Sequence, residues 1–132
     1  MGQPAAKQGD QVTATDIHIV MVPSPGGPVP APVPHVFAGI LDGSLSSNVH
    51  VMGMPAATMG STASNTPPHL PTPPGVSFQI PPKNRAHIMM GSPTVLVNGK
   101  MMARNGDTAL TCNDPADLPV GTVIAVGTVM VG

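Results

Sequence analysis

The sequence predicts a small all-β fold. The chain of 132 residues contains no Glu, Trp or Tyr, and it has few of the Lys, Arg and Gln residues that favour helices. It contains 18 Pro and 15 Gly, which interrupt regular structure often. The C-terminal segment 122–131 is rich in β-branched residues, as strands are. Short strands joined by turns suit this composition better than helices do.

The composition also indicates a packed domain rather than a disordered segment. Much Pro and Gly is typical of disordered chains, but hydrophobic residues make up 41% of this chain and charged residues only 8%. A chain of this length can bury roughly two-thirds of its unfolded surface as one unit. We therefore expect a single domain over residues 1–132.

Charge and hydropathy exclude two classes of partner. The net charge is −1 and the chain has two aromatic residues, so it offers neither a basic patch nor a stacking platform for nucleic acid. No apolar run is long enough for a signal peptide at the N-terminus or for a membrane span. We expect synthesis in the cytoplasm without a signal peptide and no stable association with a membrane.

An internal repeat organises the chain. Residues 4–10, 55–61 and 101–107 read PAAKQGD, PAATMGS and MMARNGD. Strand patterns that end in a turn precede the second and third segments, VHVMG at 49–53 and VLVNG at 95–99, and the C-terminal strand pattern predicts a third copy of them. Asn-Gly is a strong signal for a hairpin, and the Gly-Asp pairs that close two segments predict turns.

Two Pro-rich segments separate the repeats, Pro23 to Pro34 and Pro67 to Pro82. Because Pro cannot donate a hydrogen bond to a neighbouring strand, these segments are predicted to be extended loops or edge strands. The restricted backbone of Pro also limits the entropy that they lose on folding.

Seven methionines accompany the repeats, and their flexible side chains predict packing in an irregular core, with a docking face as the alternative. They are Met52, Met54, Met59, Met89, Met90, Met101 and Met102.

The three segments resemble the Pro-Ala-Ala-Arg (PAAR) repeat family. Lys7 and Thr58 stand where the family has Arg, and Ser61 stands where it has Asp, so the chain resembles a diverged branch. The resemblance implies a small pseudo-threefold cone of short β-hairpins and Pro-rich loops with a zinc ion near its apex. It also implies a contractile injection system, either type VI secretion or an extracellular phage-tail-like particle.

In such a system the chain would be the structural tip that sharpens and caps a homotrimeric spike and helps to puncture the target envelope. One tip would bind each trimer, with effector cargo as a second candidate partner. The protein would be carried outside the cell when the particle fires, and it would not be an enzyme.

Candidate zinc ligands recur in register with the repeat. A structural zinc site takes four Cys or His ligands, and this chain has one Cys and five His. His18 and His69 each lie fourteen residues after the first residue of their segment, and Cys112 lies eleven residues after the first residue of the third. Because a single Cys cannot form an internal disulfide, one structural Zn²⁺ is the available staple for a chain with few large apolar side chains.

The fourth ligand is predicted to be His35, since its Pro-His setting is similar to that of His69. His87 is the next choice and His50 the third, and both lie within strand patterns.

Two other functions are open to this sequence. A zinc hydrolase needs a general base and an open coordination position, but the chain has no Glu and no His-Glu-x-x-His motif. Asp16, two residues before His18, could act as a base, although a carboxylate in this setting more often orients the imidazole. A Pro-rich interaction scaffold could instead bind through residues 23–34 or 67–82, and it predicts little ordered β-structure.

Overall fold

The structure is a computed structural model, and it describes residues 2–132. Over these residues the chain forms thirteen β-strands and no helix, so no helix could span a membrane. The strands are β1 (Gln3–Pro4), β2 (Gln11–Val22), β3 (Val29–Gly43), β4 (His50–Val51), β5 (Met54–Pro55), β6 (Thr62–Asn65), β7 (Ser77–Phe78), β8 (Arg85–Ile88), β9 (Leu96–Val97), β10 (Lys100–Met101), β11 (Thr108–Thr111), β12 (Leu118–Ile124) and β13 (Met130–Val131). The predicted all-β fold is confirmed.

Six strands close into a small barrel-like cone. Their order is β12-β11-β8-β6-β3-β2, and β12 also pairs with β2, which closes the sheet. All of these pairs are antiparallel. The interior is filled mainly by Phe37, Leu41 and Ile88 together with alanines and valines. Closure removes the free edges that an open sheet of this size would present.

A ring of three backbone hydrogen bonds gives the cone its pseudo-threefold axis. The Ala6 N–H donates to the Ala103 carbonyl at 2.9 Å, the Ala57 N–H to the Ala6 carbonyl at 3.0 Å, and the Ala103 N–H to the Ala57 carbonyl at 3.0 Å. All three alanines are fully buried. The ring joins the same position of the three sequence segments, so the predicted repeat is a structural repeat.

Each segment then turns back on itself in the same way. A left-handed glycine follows at Gly9, Gly60 and Gly106, with φ of 93°, 92° and 91°. The next side chain accepts a hydrogen bond from the backbone N–H three residues before it. The three bonds are Lys7 to Asp10 at 3.1 Å, Thr58 to Ser61 at 2.9 Å and Arg104 to Asp107 at 2.8 Å. The serine therefore replaces the aspartate without loss of this turn.

Three two-stranded antiparallel sheets lie on the other side of the ring from the barrel. We call them the base hairpins, although the strands of the third are far apart in sequence. They are β4 with β5, β9 with β10, and β13 with β1. Ala5, Ala56 and Met102 pack with Val51, Val97 and Val131 in a core of their own, whereas the ring alanines belong to the barrel core. The ring therefore separates two cores. The third hairpin joins the two ends of the described chain, and it completes the predicted third copy.

The longest hairpin was not foreseen. Strands β2 and β3 pair continuously from Gln11 opposite Ile40 to Val22 opposite Val29. The sequence predicted short hairpins, with an extended loop or an edge strand over 23–34, and β3 begins at Val29 and includes three prolines. The second Pro-rich segment, 67–82, is an extended loop with one short strand, as predicted.

The prediction that the methionines form the core is wrong for most of them. Met102 is 5% exposed and packs in the base core. Met52, Met54, Met59, Met89 and Met90 are all exposed. Their side chains lie on the surface, and other apolar residues fill the two cores, with Met102 as the exception.

Candidate metal centre

A buried cluster of potential metal ligands lies between the long hairpin and two loops. Asp16 and His18 come from β2, Cys112 follows β11 directly, and His69 lies in the Pro-rich loop after β6. One donor atom from each of these four buried residues lies within 4.8 Å of the other three. The structure thus brings together His18, His69 and Cys112, which are far apart in sequence but in register with the repeat.

Three distances within the cluster lie near the separations of ligands around one tetrahedral zinc ion, and two of them involve Asp16. Cys112 Sγ lies 3.7 Å from His18 Nε2 and 3.5 Å from Asp16 Oδ2, and His69 Nε2 lies 3.0 Å from the same oxygen. Zinc binds sulfur at about 2.3 Å and nitrogen or oxygen at about 2.0 to 2.2 Å, so ligand atoms around it lie roughly 3.2 to 3.7 Å apart.

His35 lies beside this cluster, on β3 directly opposite Asp16. Its ring centroid is 5.6 Å from that of His18 and 5.5 Å from that of His69. Its Nδ1 bonds the Val33 carbonyl at 3.0 Å, and its Nε2 is buried without a hydrogen-bond partner among the described residues. A buried polar atom without a partner is costly, and an imidazole nitrogen in this state is suited to a metal.

The other two histidines lie outside the cluster. His50 on β4 and His87 on β8 are exposed, whereas His35 is buried; none of the three is among the four convergent donors. Of the three histidines that the sequence left open for the fourth position, His35 is the one that lies buried beside the cluster.

Neighbouring residues hold the cluster in place. The Asn84 side-chain oxygen accepts hydrogen bonds from the His69 backbone N–H at 2.8 Å and from the Asn65 amide at 3.2 Å, so it fixes the Pro-rich loop. Phe78 packs against His18 and His35, with ring centroids 5.8 Å and 5.4 Å apart. The Phe78 ring therefore gives the two imidazoles an apolar neighbour on one side.

Asp16 is the member of the cluster that sequence reasoning treated only as a base or as an orienting group. Asp16 and His18 are two residues apart on a strand, so their side chains share one face. The Asp-x-His spacing was therefore the signal for this position, but it becomes informative only when the strand is known.

Burial favours the neutral forms of two donors in the metal-free protein. It lowers the pKa of His18, although Asp114 acts in the opposite direction, and it raises the pKa of Cys112 to about 11, with a further contribution from Asp16. Because zinc binds the thiolate, binding must displace the Cys112 proton.

Fold and site define a small β-repeat protein with a closed barrel and a buried candidate metal centre. The chain belongs to the PAAR family, because the model of the PAAR motif matches residues 21–115. His35, His69 and Cys112 lie within the matched range, and His18 precedes it. No curated protein matches the chain. Membership implies, at the level of the family, a spike-tip role in a contractile injection system.

The raised pKa of Cys112 predicts a loss of stability at high pH in the metal-free protein. Above its ordinary value of 9.0 the thiol ionises in the unfolded chain, but the folded protein keeps it protonated up to about 11. The free energy of unfolding should therefore fall across this interval by on the order of 2 kcal/mol. Urea titrations of chelator-treated protein at pH 8 and pH 11 measure this change. Cys112→Ala should lack this component, and equal pH dependence in both proteins would contradict the prediction.

Proposed function

We propose that this chain is a single-domain structural tip that caps the trimeric spike of a bacterial contractile injection system and helps it to puncture the target envelope. The observation that carries the proposal is the ring at Ala6, Ala57 and Ala103, in which one chain repeats the same backbone contact three times. A homotrimeric spike ends in three identical surfaces, and one copy of this chain can offer each of them an equivalent segment.

The base hairpins are the surface that such a trimer would contact. Equivalent exposed positions in the three hairpins are His50, Leu96 and Met130, and the last two are 62% and 58% exposed. Met52, in the turn of the first hairpin, is 53% exposed. The base therefore carries apolar side chains that a partner could cover, and two-residue strands leave backbone groups open to further pairing.

One structural zinc ion would tie together the end of the molecule that lies away from the base. The proposed ligands are His18, His35, His69 and Cys112, which join the long hairpin, the Pro-rich loop and the end of β11. From its first residue, Gln11, to His18, strand β2 runs roughly 20 to 25 Å at about 3.3 Å per residue. Four protein ligands leave no open position for a substrate, and such sites contribute about 10 kcal/mol or more to folding.

The same geometry disfavours the two alternatives. A hydrolase would need an open position on the metal, whereas the four proposed ligands would fill all four tetrahedral positions, so we propose no enzymatic activity. A Pro-rich scaffold predicts little ordered β-structure, and the closed barrel disagrees with that expectation. Within this proposal the protein is made in the cytoplasm and leaves the cell on the fired particle, either alone or with effector cargo.

The zinc site predicts a metal content of one ion per chain. Cys112→Ala and His69→Ala should each lower zinc content and melting temperature together, because each removes a ligand from a buried site. His87→Ala, which changes an exposed histidine outside the cluster, should keep both values. Elemental analysis and thermal melting with and without chelator measure them. A well-folded protein that contains no metal and melts unchanged with chelator would exclude the site.

The proposed docking predicts one tip per spike trimer in a reconstituted complex, as measured by native mass spectrometry. Met130→Asp should weaken binding at least tenfold, because it places a charge in the apolar base. Val36→Asp, at a site 79% exposed on the long hairpin, is the matched control and should bind normally. Three tips per trimer, or loss of docking in His69→Ala but not in Met130→Asp, would refute the arrangement.

A further inference from the structure

The two carboxylate oxygens of Asp16 have different surroundings. The side chain is fully buried. Its Oδ1 accepts hydrogen bonds from the Thr111 hydroxyl and from the Asn113 amide, the latter at 3.4 Å. Its Oδ2 faces His69 Nε2 at 3.0 Å and Cys112 Sγ at 3.5 Å. One oxygen is thus fixed by neutral donors, and the other faces the metal-binding side chains.

Asp16 has no permanent cation beside it. Among the described residues, its ion-pair partner within 4.0 Å is His69, which is charged only if protonated. A buried carboxylate without a compensating charge is strongly unfavourable. A zinc ion bound by one thiolate and three neutral imidazoles carries a net charge of +1, and one adjacent carboxylate reduces the total to zero.

We propose that Asp16 is the second anion of the metal centre, which makes the buried zinc complex electroneutral and positions its ligands. This inference rests on the proposed zinc site and concerns a residue outside the proposed ligand set. Thr111 and Asn113, which hold the carboxylate, flank Cys112 in sequence, so one tripeptide carries both a ligand and the support of the counter-charge. Asn113 also accepts a hydrogen bond from the Ile17 N–H at 2.7 Å, which joins this tripeptide to β2.

Asp16→Asn tests the charge with little change in shape. Zinc affinity measured by competition with a chromophoric chelator should fall about 10- to 100-fold, the usual effect of removing a residue that supports metal ligands. Thr111→Val, which removes one donor to Oδ1, should cause a smaller loss. Asp42→Asn makes the same charge change at an exposed site on β3 and should keep wild-type affinity. In cobalt-substituted protein the visible d–d bands should shift in Asp16→Asn, a change that a role in packing alone would not cause.

The outcomes separate this inference from the zinc site itself. If the wild-type protein binds zinc and Asp16→Asn keeps its affinity and its cobalt spectrum, Asp16 is not the counter-charge, and the zinc site stands. If the wild-type protein binds no zinc, both proposals fail. If Asp16→Asn does not fold, unchanged zinc affinity in Thr111→Val overturns the inference.

A second inference comes from the free edge of β3. Strand β6 pairs with β3 only from Gly39 to Gly43, and within residues 2–132 no strand pairs with the outer side of Val29 to Val36. This half of the long hairpin extends beyond the barrel and is largely exposed. An unpaired edge of this length is a template for the addition of another strand.

The hydrogen bonds of β2 establish which residues of β3 face that edge. The backbone groups of Ile17, Ile19 and Met21 bond to the other side of β2, at Asn113, Asp114, Gln79 and Val76. These three residues therefore do not bond β3. They stand opposite Pro34, Pro32 and Pro30. In an antiparallel pair, two directly opposed residues either both bond each other or both point their backbone groups away from the partner strand. The backbones of all three prolines consequently point to the free edge.

We propose that this proline alternation closes the edge to strand addition by a second copy of the chain. Proline has no N–H, so three successive outward positions lack a donor, and Val36 is the next position that has one. The alternate residues of β3 still bond β2, so the hairpin is kept while its edge is closed. Association is then restricted to the base hairpins.

The triple variant Pro30→Thr, Pro32→Thr, Pro34→Thr restores the three donors with a residue that suits strands. Sedimentation velocity should show a concentration-dependent dimer beyond any self-association of the wild-type protein. Hydrogen exchange should show protection of the new amides in the dimer, which distinguishes edge pairing from association through the base. As a control, Pro23, Pro25 and Pro81, which are exposed, are replaced by Thr. This variant loses as many prolines elsewhere, and its mass in solution should stay that of the wild-type protein.

Equal masses for the wild-type protein and the edge variant over the same concentrations would overturn the inference, as would a dimer with unprotected amides at 30, 32 and 34. If the triple variant does not fold, Pro32→Thr alone provides the decision. It places one donor in the middle of the edge, and it must dimerise more strongly than Pro81→Thr for the inference to stand.

Discussion

The ring of hydrogen bonds between Ala6, Ala57 and Ala103 is the constraint on which the rest of the structure depends. A backbone can approach two others this closely only where side chains are small, and the three alanines are fully buried. On one side of the ring the strands diverge into the barrel, and on the other they form the base hairpins. The departures of Thr58 and Ser61 from the family pattern are tolerated because the ring uses backbone atoms and the turn needs only a hydrogen-bond acceptor.

Threefold similarity is strongest at the ring and is lost toward the candidate metal centre. His18 and His35 both come from the β2–β3 hairpin, whereas His69 comes from an irregular loop and Cys112 from the end of a strand. A structural zinc ion takes four donors in a tetrahedron, which a threefold arrangement of identical segments cannot supply alone. In the proposed ligand set, the long hairpin of one repeat would supply His18 and His35, and the Pro-rich loop of another would supply His69.

Both edges of the β2–β3 hairpin are protected outside the barrel, but by different means. The outward groups of β2 bond β7 and the side chains of Asn113 and Asp114, so this edge is covered. The outward positions of β3 are prolines, so this edge lacks donors. The same prolines restrict the unfolded chain and extend the residues before them, which favours the strand geometry that the candidate ligands require. Rigidity near the metal centre therefore arises from local sequence as well as from any bound ion.

The sequence by itself determined the all-β class, the threefold repeat and the family, because composition and the spacing of small motifs are local properties. It also indicated His18, His69 and Cys112 through their register with the repeat. The length of the β2–β3 hairpin was decided by tertiary structure, since prolines are compatible with a strand only when their side of it is a free edge. The place of Asp16 and the exposure of the methionines were likewise decided by which faces meet when the barrel closes. Which faces meet depends on contacts between residues nearly a hundred positions apart, such as Asp16 and Cys112. No local sequence pattern specifies such contacts.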